Sequence, residues 1–482
     1  MSTGSGTDSA YRLDDLPRPV ATVLDRLLRA GHEAALVGGC VRDLLRGGRP
    51  DDWDVATSAV PEVVVALFPG ATWENRFGTV TVRPGPGRMP VEVTTYRVEG
   101  TYADHRRPDE VRWGTSLLED LARRDFTINA MAWLPRDLAT GTGELVDPYG
   151  GRADLEQRRL RAVGDPDERL AEDALRLIRA VRFAARFDLV IEPQTHSAIR
   201  RHARSAAELS GERVRDELLR ILETRDAARP PSAAFGTMEE LGILAVILPE
   251  LAALRGVPQA KLIDGDALEH SLRTADALPV DDPFLRLVGL LHDVGKASTL
   301  ADGHFYGHET VGARMVEAIL RRLRFPREEV VRATHLVRQH MFAYSPEWTD
   351  GAVRRFVRRV GASALPALFD LRRADNVASG VSEPVIGGLD ELHARIGVEL
   401  ATHALNARQV AVHGDDLVRE LGVPPGPVIG RLLNRLLEAV LDDPSRNERS
   451  ALVDLARGWL DEEASGDDAH HQQAEDSPVD RL

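Results

Sequence analysis

Between Gly38 and Thr57 the chain reads Gly-Gly-Cys-Val-Arg-Asp-Leu-Leu-Arg-Gly-Gly-Arg-Pro-Asp-Asp-Trp-Asp-Val-Ala-Thr, and no other segment restricts the fold as tightly. It follows residues 34–37, a short apolar run that reads as a buried strand. Gly38 and Gly39 allow a sharp bend and a close approach to a polyphosphate, because no Cβ intervenes. Arg42 adds a planar fork of donors suited to phosphate oxygens. Asp52 and Asp54 stand one residue apart. On an extended backbone alternate side chains share a face, so both carboxylates would point one way and Trp53 the other. Two such oxygen ligands suit Mg²⁺, which takes one or two carboxylates plus substrate phosphates. A Gly-Gly pair alone marks a turn, and an Asp-x-Asp alone marks a solvated loop. Together, in this order, they predict a holder for a metal–nucleoside triphosphate.

Composition narrows the setting. A chain of 482 residues has room for three or four domains. Apolar residues make up 43% but form no uninterrupted run of transmembrane length, so no membrane partner is expected. The first ten residues lack the basic and apolar regions of a signal peptide. Cys40 is the one cysteine, which excludes an intrachain disulfide and fits a reducing cytoplasm; within the glycine turn it reads as a small buried filler. A net charge of −15 argues at first against nucleic acid. Net charge governs solubility, however, and the arginine-dense stretch 158–220 predicts a local basic face. Lys261 and Lys296 are the only lysines, so each stands out in an arginine-rich chain.

The pattern predicts an α+β fold. Residues 1–16 read as a disordered N-terminus. Residues 17–150 mix a helix (20–30) with strands at 34–37, 79–82 and 91–96, the last two joined by a Gly/Pro-rich turn at 84–90. From 151 to 461 the chain reads as helical with Gly/Pro breaks, and 462–482 reads as a disordered acidic tail. No internal repeat appears.

Further motifs carry chemistry. In Arg123-Arg124-Asp125-Phe126-Thr127-Ile128-Asn129-Ala130, Arg124 is a candidate phosphate or ribose clamp with Asp125 orienting its neighbours; a charged helix cap is the plain alternative. Residues 172–183 read as one amphipathic helix, with Ala174, Leu177, Ile178 and Val181 on its apolar stripe and Asp173, Arg176, Arg179 and Arg182 opposite. Ordinary ion pairs would explain that polar face. The sharper reading is a protein template for a base. Adenine and cytosine both place an amino donor beside a ring-nitrogen acceptor, matching the Asp173 carboxylate and the Arg176 guanidinium. Guanine and uracil reverse both groups, at about 1–3 kcal/mol for each buried group left unpaired. The polar loop 96–108 reads as a surface loop or as a mobile element over substrate.

These motifs, with Val91-Glu92-Val93-Thr94-Thr95-Tyr96-Arg97, Asp147-Pro148-Tyr149-Gly150-Gly151 and Ser210-Gly211-Glu212-Arg213, resemble in sequence order those of bacterial class II CCA-adding tRNA nucleotidyltransferases. The resemblance runs from about Leu36 to Leu222. It implies an N-terminal polymerase-β-like nucleotidyltransferase palm, a small mixed sheet with helices, over 17–150. An all-α neck binding RNA and nucleobase follows (151–255), then an HD domain (256–400), a C-terminal helical segment (401–461) and the tail. It implies template-independent addition of C, C and A to tRNA from CTP and ATP, with no stable protein partner. Gly38, Gly39 and Arg42 would hold the triphosphate. Asp52 and Asp54 would hold Mg²⁺ and carry catalysis, with Glu92 either a third carboxylate or a plain strand residue. Arg124, Asp173, Arg176, Arg179 and Arg182 would bind the nucleotide. Poly(A) polymerases and A-adding enzymes share the family, and loop 96–108 resembles the flexible loop of full CCA adders.

Six of the fifteen histidines fall between His270 and His340. His292-Asp293-Val294-Gly295-Lys296 resembles the core of HD-superfamily phosphohydrolases. That resemblance implies a divalent transition metal held by His270, His292, Asp293 and Asp375. His308 and His340 are candidates for a second metal position. A hydrolase with a nucleotide-sensing N-terminal half is the rival reading, and a purely structural, RNA-contacting body domain is another.

Overall fold

Residues Ala34–Val37 form a strand with every side chain buried in a computed structural model of the protein. The structure describes residues 10–13, 16–73, 78–83, 89–98, 112–114, 116–223, 228–259, 262–381, 383–402 and 409–475. Two compact units result. The first takes the chain through Val257 together with 279–290 and 318–326; the second takes 258–278, 291–317 and the remainder from Arg327. No helix of the described residues is long and apolar enough to cross a membrane.

The first unit is organised on one sheet. Its strands are β1 (Ala10–Arg12), β2 (Ala34–Val37), β3 (Asp54–Thr57), β4 (Thr72–Trp73), β5 (Thr79–Val82), β6 (Val91–Thr95), β9 (Ala132–Asp137) and β10 (Thr142–Val146), while β7 (Arg97–Val98) and β8 (Arg112–Trp113) pair separately. The spatial order is β1-β10-β9-β2-β3-β6-β5-β4. The β3–β6 pair is parallel, with Asp54 opposite Glu92, and the other neighbours in this sheet run antiparallel. In β6, Val91 and Val93 point into the core and Glu92 points out, as a half-buried strand requires. Helix α1 (Arg18–Arg29) buries Val20, Val23, Leu24 and Leu27 in that core. Burying each such side chain contributes roughly 1.5–3 kcal/mol.

Three expectations change here. β1 lies inside the expected disordered N-terminus. Its register against β10 is set by backbone pairing, for which Ala-Tyr-Arg offers no apolar alternation to read. Asp52 does not share a strand with Asp54: β3 begins at Asp54, and Asp52 sits in the bend before it. The expected helix over 172–183 is interrupted. α2 (Gly39–Leu45), α3 (Pro61–Leu67), α4 (Leu117–Ala122) and α5 (Gly151–Glu156) precede two distinct helices, α6 (Pro166–Glu172) and α7 (Leu175–Phe187). Asp173 between them is extended (φ −150°, ψ 107°), and its Oδ1 accepts from Leu175 N at 3.0 Å. A short polar side chain that satisfies a free N–H at a helix start is a capping role, and it competes with helix continuation.

The second unit is helical. Helices Ala267–Ala277 and Leu365–Ala378 pack together. The short hairpin Leu300–Ala301/His304–Phe305 precedes the helix His308–Arg322. The last helix, Arg449–Glu475, runs well past residue 462, where the sequence suggested disorder. No proline interrupts 449–475, the next being Pro478, so nothing in the backbone chemistry forces an earlier stop.

Candidate functional site

The end of β2, the bend at Gly38 and the start of β3 open onto a cavity of about 1180 Å³ in the first unit. Small-molecule sites usually span about 300–1,000 Å³, so a nucleotide and a second reactant fit together. Gly38, Gly39, Arg42, Asp52, Asp54, Arg124, Asp173, Arg176, Arg179 and Arg182 all line this cavity, as do Glu92 and Asp125.

Gly38 earns its glycine. Its φ is +72°, and an added Cβ would lie 2.5 Å from Arg124 Nη1. Gly39 is ordinary by comparison: a Cβ there would meet Arg42 Nη2 at 3.5 Å. Arg42 is buried and fully braced. Nη1 donates to Asn129 Oδ1 at 2.6 Å, Nε and Nη2 donate to the two oxygens of Asp43 at 2.9 and 3.0 Å, and the guanidinium lies 4.3 Å from the Phe187 ring centre. Arg124 donates to Asp120 Oδ2 at 3.1 Å and to Asn129 O at 3.3 Å. Bracing of this kind fixes a cationic fork before any anion arrives.

The carboxylates form the opposite pole. Burial pushes the Asp54 carboxyl up to about 6; Glu92 and Asp52 push the same way, and Arg124 and Arg42 oppose them. Mutually repelling carboxylates on one wall are the donor set a hard dication neutralises, so the residues fit Mg²⁺.

Asp173 and Arg176 meet the cavity from different elements. Asp173 Oδ2 accepts from Arg213 Nη2 at 2.6 Å. Arg176 Nη1 donates to Arg169 O at 2.6 Å and pairs with Glu172, and Nη2 donates to Arg123 O at 2.9 Å. Arg179 Nε donates to Asp125 Oδ2 at 2.8 Å, and Asp125 Oδ1 accepts from Asn129 and from Phe126 N. Burial would push the Asp125 carboxyl up, but Arg179 and these donors hold it down at about 2. Arg182 Nε sits 2.8 Å from Glu217 Oε2, and burial pulls its guanidinium down to about 10. Sequence reasoning overlooked Asn129, Asp120 and Glu217 as braces. Only Asp120 had a readable signal, its i,i+4 spacing to Arg124.

Comparison with known proteins agrees with this architecture. Residues 34–161 match the poly A polymerase head domain, 188–254 match a probable RNA and SrmB-binding site of polymerase A, and 310–456 match a putative tRNA nucleotidyltransferase domain 2. An A-adding tRNA nucleotidyltransferase of Deinococcus radiodurans is 37% identical over 432 residues, 84% of this chain and 91% of that one. A CCA-adding enzyme of Lactiplantibacillus plantarum is 33% identical, over 90% of this chain and 94% of that one. The chain belongs to the class II CCA-adding tRNA nucleotidyltransferase family. The crystal structure of the Bacillus stearothermophilus CCA-adding enzyme in complex with CTP superposes with a TM-score of 0.68 at 27% identity, covering 93% of this chain and 98% of that one.

A second cluster, in the second unit, lies largely between the last two matched segments of this tRNA nucleotidyltransferase. His270 and Asp375 come from the packed helix pair, and His292 and Asp293 from the turn before Lys296; all four are buried. His270 Nε2 lies 3.1 Å from Asp375 Oδ1 and 3.4 Å from Asp293 Oδ2, and His292 Nε2 lies 3.1 Å from the same Asp293 oxygen. His308 and His340, also buried, approach Asp293 from the other side. The structure therefore gathers every histidine and aspartate that the sequence nominated for this centre.

Proposed function

We propose that this chain adds C, C and A to the 3′ ends of tRNA from CTP and ATP in the cytoplasm, working at the cavity around Gly38. The observation that carries this reading is one cavity joining an Asp52–Asp54 carboxylate wall, braced arginines and the Asp173–Arg176 pair. In the reaction the ribose 3′-hydroxyl attacks the α-phosphorus, the bond to the β-phosphate oxygen breaks, and pyrophosphate leaves. Mg²⁺ held by Asp52 and Asp54 would acidify the attacking hydroxyl and offset charge at the α-phosphate. Arg42 and Arg124 receive the phosphates with forks already fixed by Asp43, Asn129 and Asp120. Of the five Arg176 N–H groups, those on Nη1 and one on Nη2 are engaged, leaving Nε–H and one Nη2–H for a ring nitrogen. Each Asp173 oxygen keeps a lone pair for an amino group. Acceptor beside donor selects cytosine and adenine.

Incubation with tRNAs ending at the discriminator base, at C or at CC, with each labelled nucleotide in turn, tests this. Asp52→Ala or Asp54→Ala should abolish addition of C and A while tRNA still binds; normal turnover in either refutes the assignment. Asp173→Ala or Arg176→Ala should admit UTP or GTP. The A-adding Deinococcus relative favours a second reading, A added to CC ends only. Incorporation of C would exclude it. Loop residues 99–108, which bear on that choice, lie outside the described residues.

In the second unit, His270, His292, Asp293 and Asp375 would hold a divalent transition metal that serves phosphoester hydrolysis. The convergence of these buried side chains within 3.4 Å supports the assignment. Hydrolysis of 2′,3′-cyclic nucleotides, lost in His292→Ala with nucleotide addition retained, is the expected result; no bound metal and no hydrolysis would leave a structural role.

A further inference from the structure

We propose that Phe187 is a positioning residue for the phosphates of the nucleotide: its ring gathers Arg42, Arg46 and Arg186 and holds Arg42 at the cavity wall without neutralising it. The inference rests on the phosphate role given to Arg42 above and names a side chain on which that role depends. Phe187 is the last residue of α7 and is 6% exposed, and it does not line the cavity that Arg42 and Arg186 line. Any effect it has on a nucleotide must therefore pass through the guanidiniums.

Three cations meet this one ring. The Cζ atoms of Arg42, Arg46 and Arg186 lie 4.3, 4.4 and 5.5 Å from its centre. All three fall inside the reach of about 6 Å at which a ring face attracts a cation. Arg42 and Arg46 stand four residues apart, on one face of α2 and its C-terminal cap. Like charges at that spacing repel. Burial pulls the Arg46 guanidinium below its ordinary range; Asp43 opposes, and Arg42 and Arg186 add to the pull.

Carboxylates relieve this repulsion unevenly. Asp43 takes Arg42, and Asp51 lies 3.6 Å from Arg186. Among the described residues no carboxylate pairs with Arg46, whose guanidinium meets the Phe187 ring instead. The two kinds of brace differ in what they leave behind. A carboxylate cancels the charge it holds. An aromatic face attracts a cation through its quadrupole and leaves the charge whole. For an arginine that must receive a polyanion, the second kind preserves the field at the phosphate. The ring is itself fixed. Phe183, one turn earlier on α7, stacks on it at 5.9 Å with the planes 13° apart, and Phe126 meets Phe183 edge-on at 5.9 Å. The plain alternative is that Phe187 only packs the end of α7, in which case its shape matters and its electrons do not.

Fluorination separates the two. Mono-, di- and trifluorophenylalanine at position 187 of the full-length protein keep a ring of nearly the same size and drain its face of negative charge step by step. The readouts are the KM for ATP in A addition to a tRNA ending in CC, and inhibition of that reaction by inorganic pyrophosphate. KM should climb with each fluorine, by about three- to thirtyfold over the series. The change should fall on KM rather than kcat, as for lost ground-state binding. The inhibition constant of pyrophosphate, which carries no base, should rise by the same factor. Phe187→Leu, which has no ring face, should match or exceed the trifluoro value. A flat series, a rise in KM that pyrophosphate does not share, or a fall in kcat at constant KM overturns the proposal. Arg42→Gln checks the reading beneath it. If Arg42→Gln raises KM while the fluorinated series stays flat, the ring loses its role and Arg42 keeps its own; if neither moves KM, both fall.

Discussion

Gly38 and Gly39 look alike in the sequence, yet the structure gives alanine at the two positions opposite consequences. At Gly38 the backbone (φ 72°, ψ −126°) lies where an L side chain is strained, at about 1–3 kcal/mol. The new methyl would also stand 2.5 Å from Arg124 Nη1, the movable end of a long side chain, so the guanidinium is displaced. Gly39 opens helix α2 with no positive φ, and its methyl would touch only Arg42 Nη2 at 3.5 Å. Alanine there should be neutral or stabilise by up to ~1 kcal/mol through helix propensity. At about 2–4 °C per kcal/mol for a unit of this size, Gly38→Ala should lower the melting temperature of the first unit by roughly 2–12 °C, whereas Gly39→Ala should hold or raise it. Steady-state addition of A to a tRNA ending in CC should show a raised KM for ATP in Gly38→Ala, because Arg124 is moved from the cavity wall. Equal melting temperatures for the two variants, or unchanged ATP kinetics in Gly38→Ala, would refute the assignment of the bend to Gly38 alone.

Two further outcomes are open to measurement. Asp125 is held at about 2, below an unfolded value near 3.9, so its carboxylate stabilises the fold by on the order of 2–3 kcal/mol. That contribution is complete above about pH 5 and is lost as pH falls through the folded value. Urea unfolding from pH 6 to 2.5 should therefore show a shallower loss in Asp125→Asn than in wild type, and parallel curves would discard the pairing. Burial, with Asp54 second, pushes the Cys40 thiol up to about 12, so a thiol reagent at pH 8 should label it only after unfolding. Rapid labelling of the native protein would show the turn to be open.

What could be read from the sequence was what local pattern governs. The run at 34–37 is buried on both faces, and Thr79–Val82 and Val91–Thr95 pair as alternating antiparallel strands. Sequence spacing misjudged Asp173, because a cap and a first-turn residue look the same when an amphipathic helix follows directly. Asp54 and Glu92 become neighbours only through the parallel β3–β6 register, which joins segments 38 residues apart along the chain. The brace of Arg42 by Asn129 spans 87 residues, and the hold of Arg213 on Asp173 spans 40. No local periodicity encodes such pairs.

The same braces explain how a chain of net charge −15 builds a cationic cavity. Asp43 stands behind Arg42, Asp120 behind Arg124, Asp125 behind Arg179 and Glu217 behind Arg182. Asp120 and Glu217 are only 1% exposed, so their acidity is hidden while the guanidinium edges line the wall. Buried ion pairs add little net stability, because desolvating both charges offsets their attraction. Their consequence here is positional. An arginine held by a carboxylate from behind cannot swing to follow a mobile anion, so phosphates must come to it in one register. An aliphatic replacement of Glu217 or Asp120 would leave the cavity more positive and less ordered, and for transfer between two bound substrates order matters more, since reacting atoms must meet at about 3–3.5 Å.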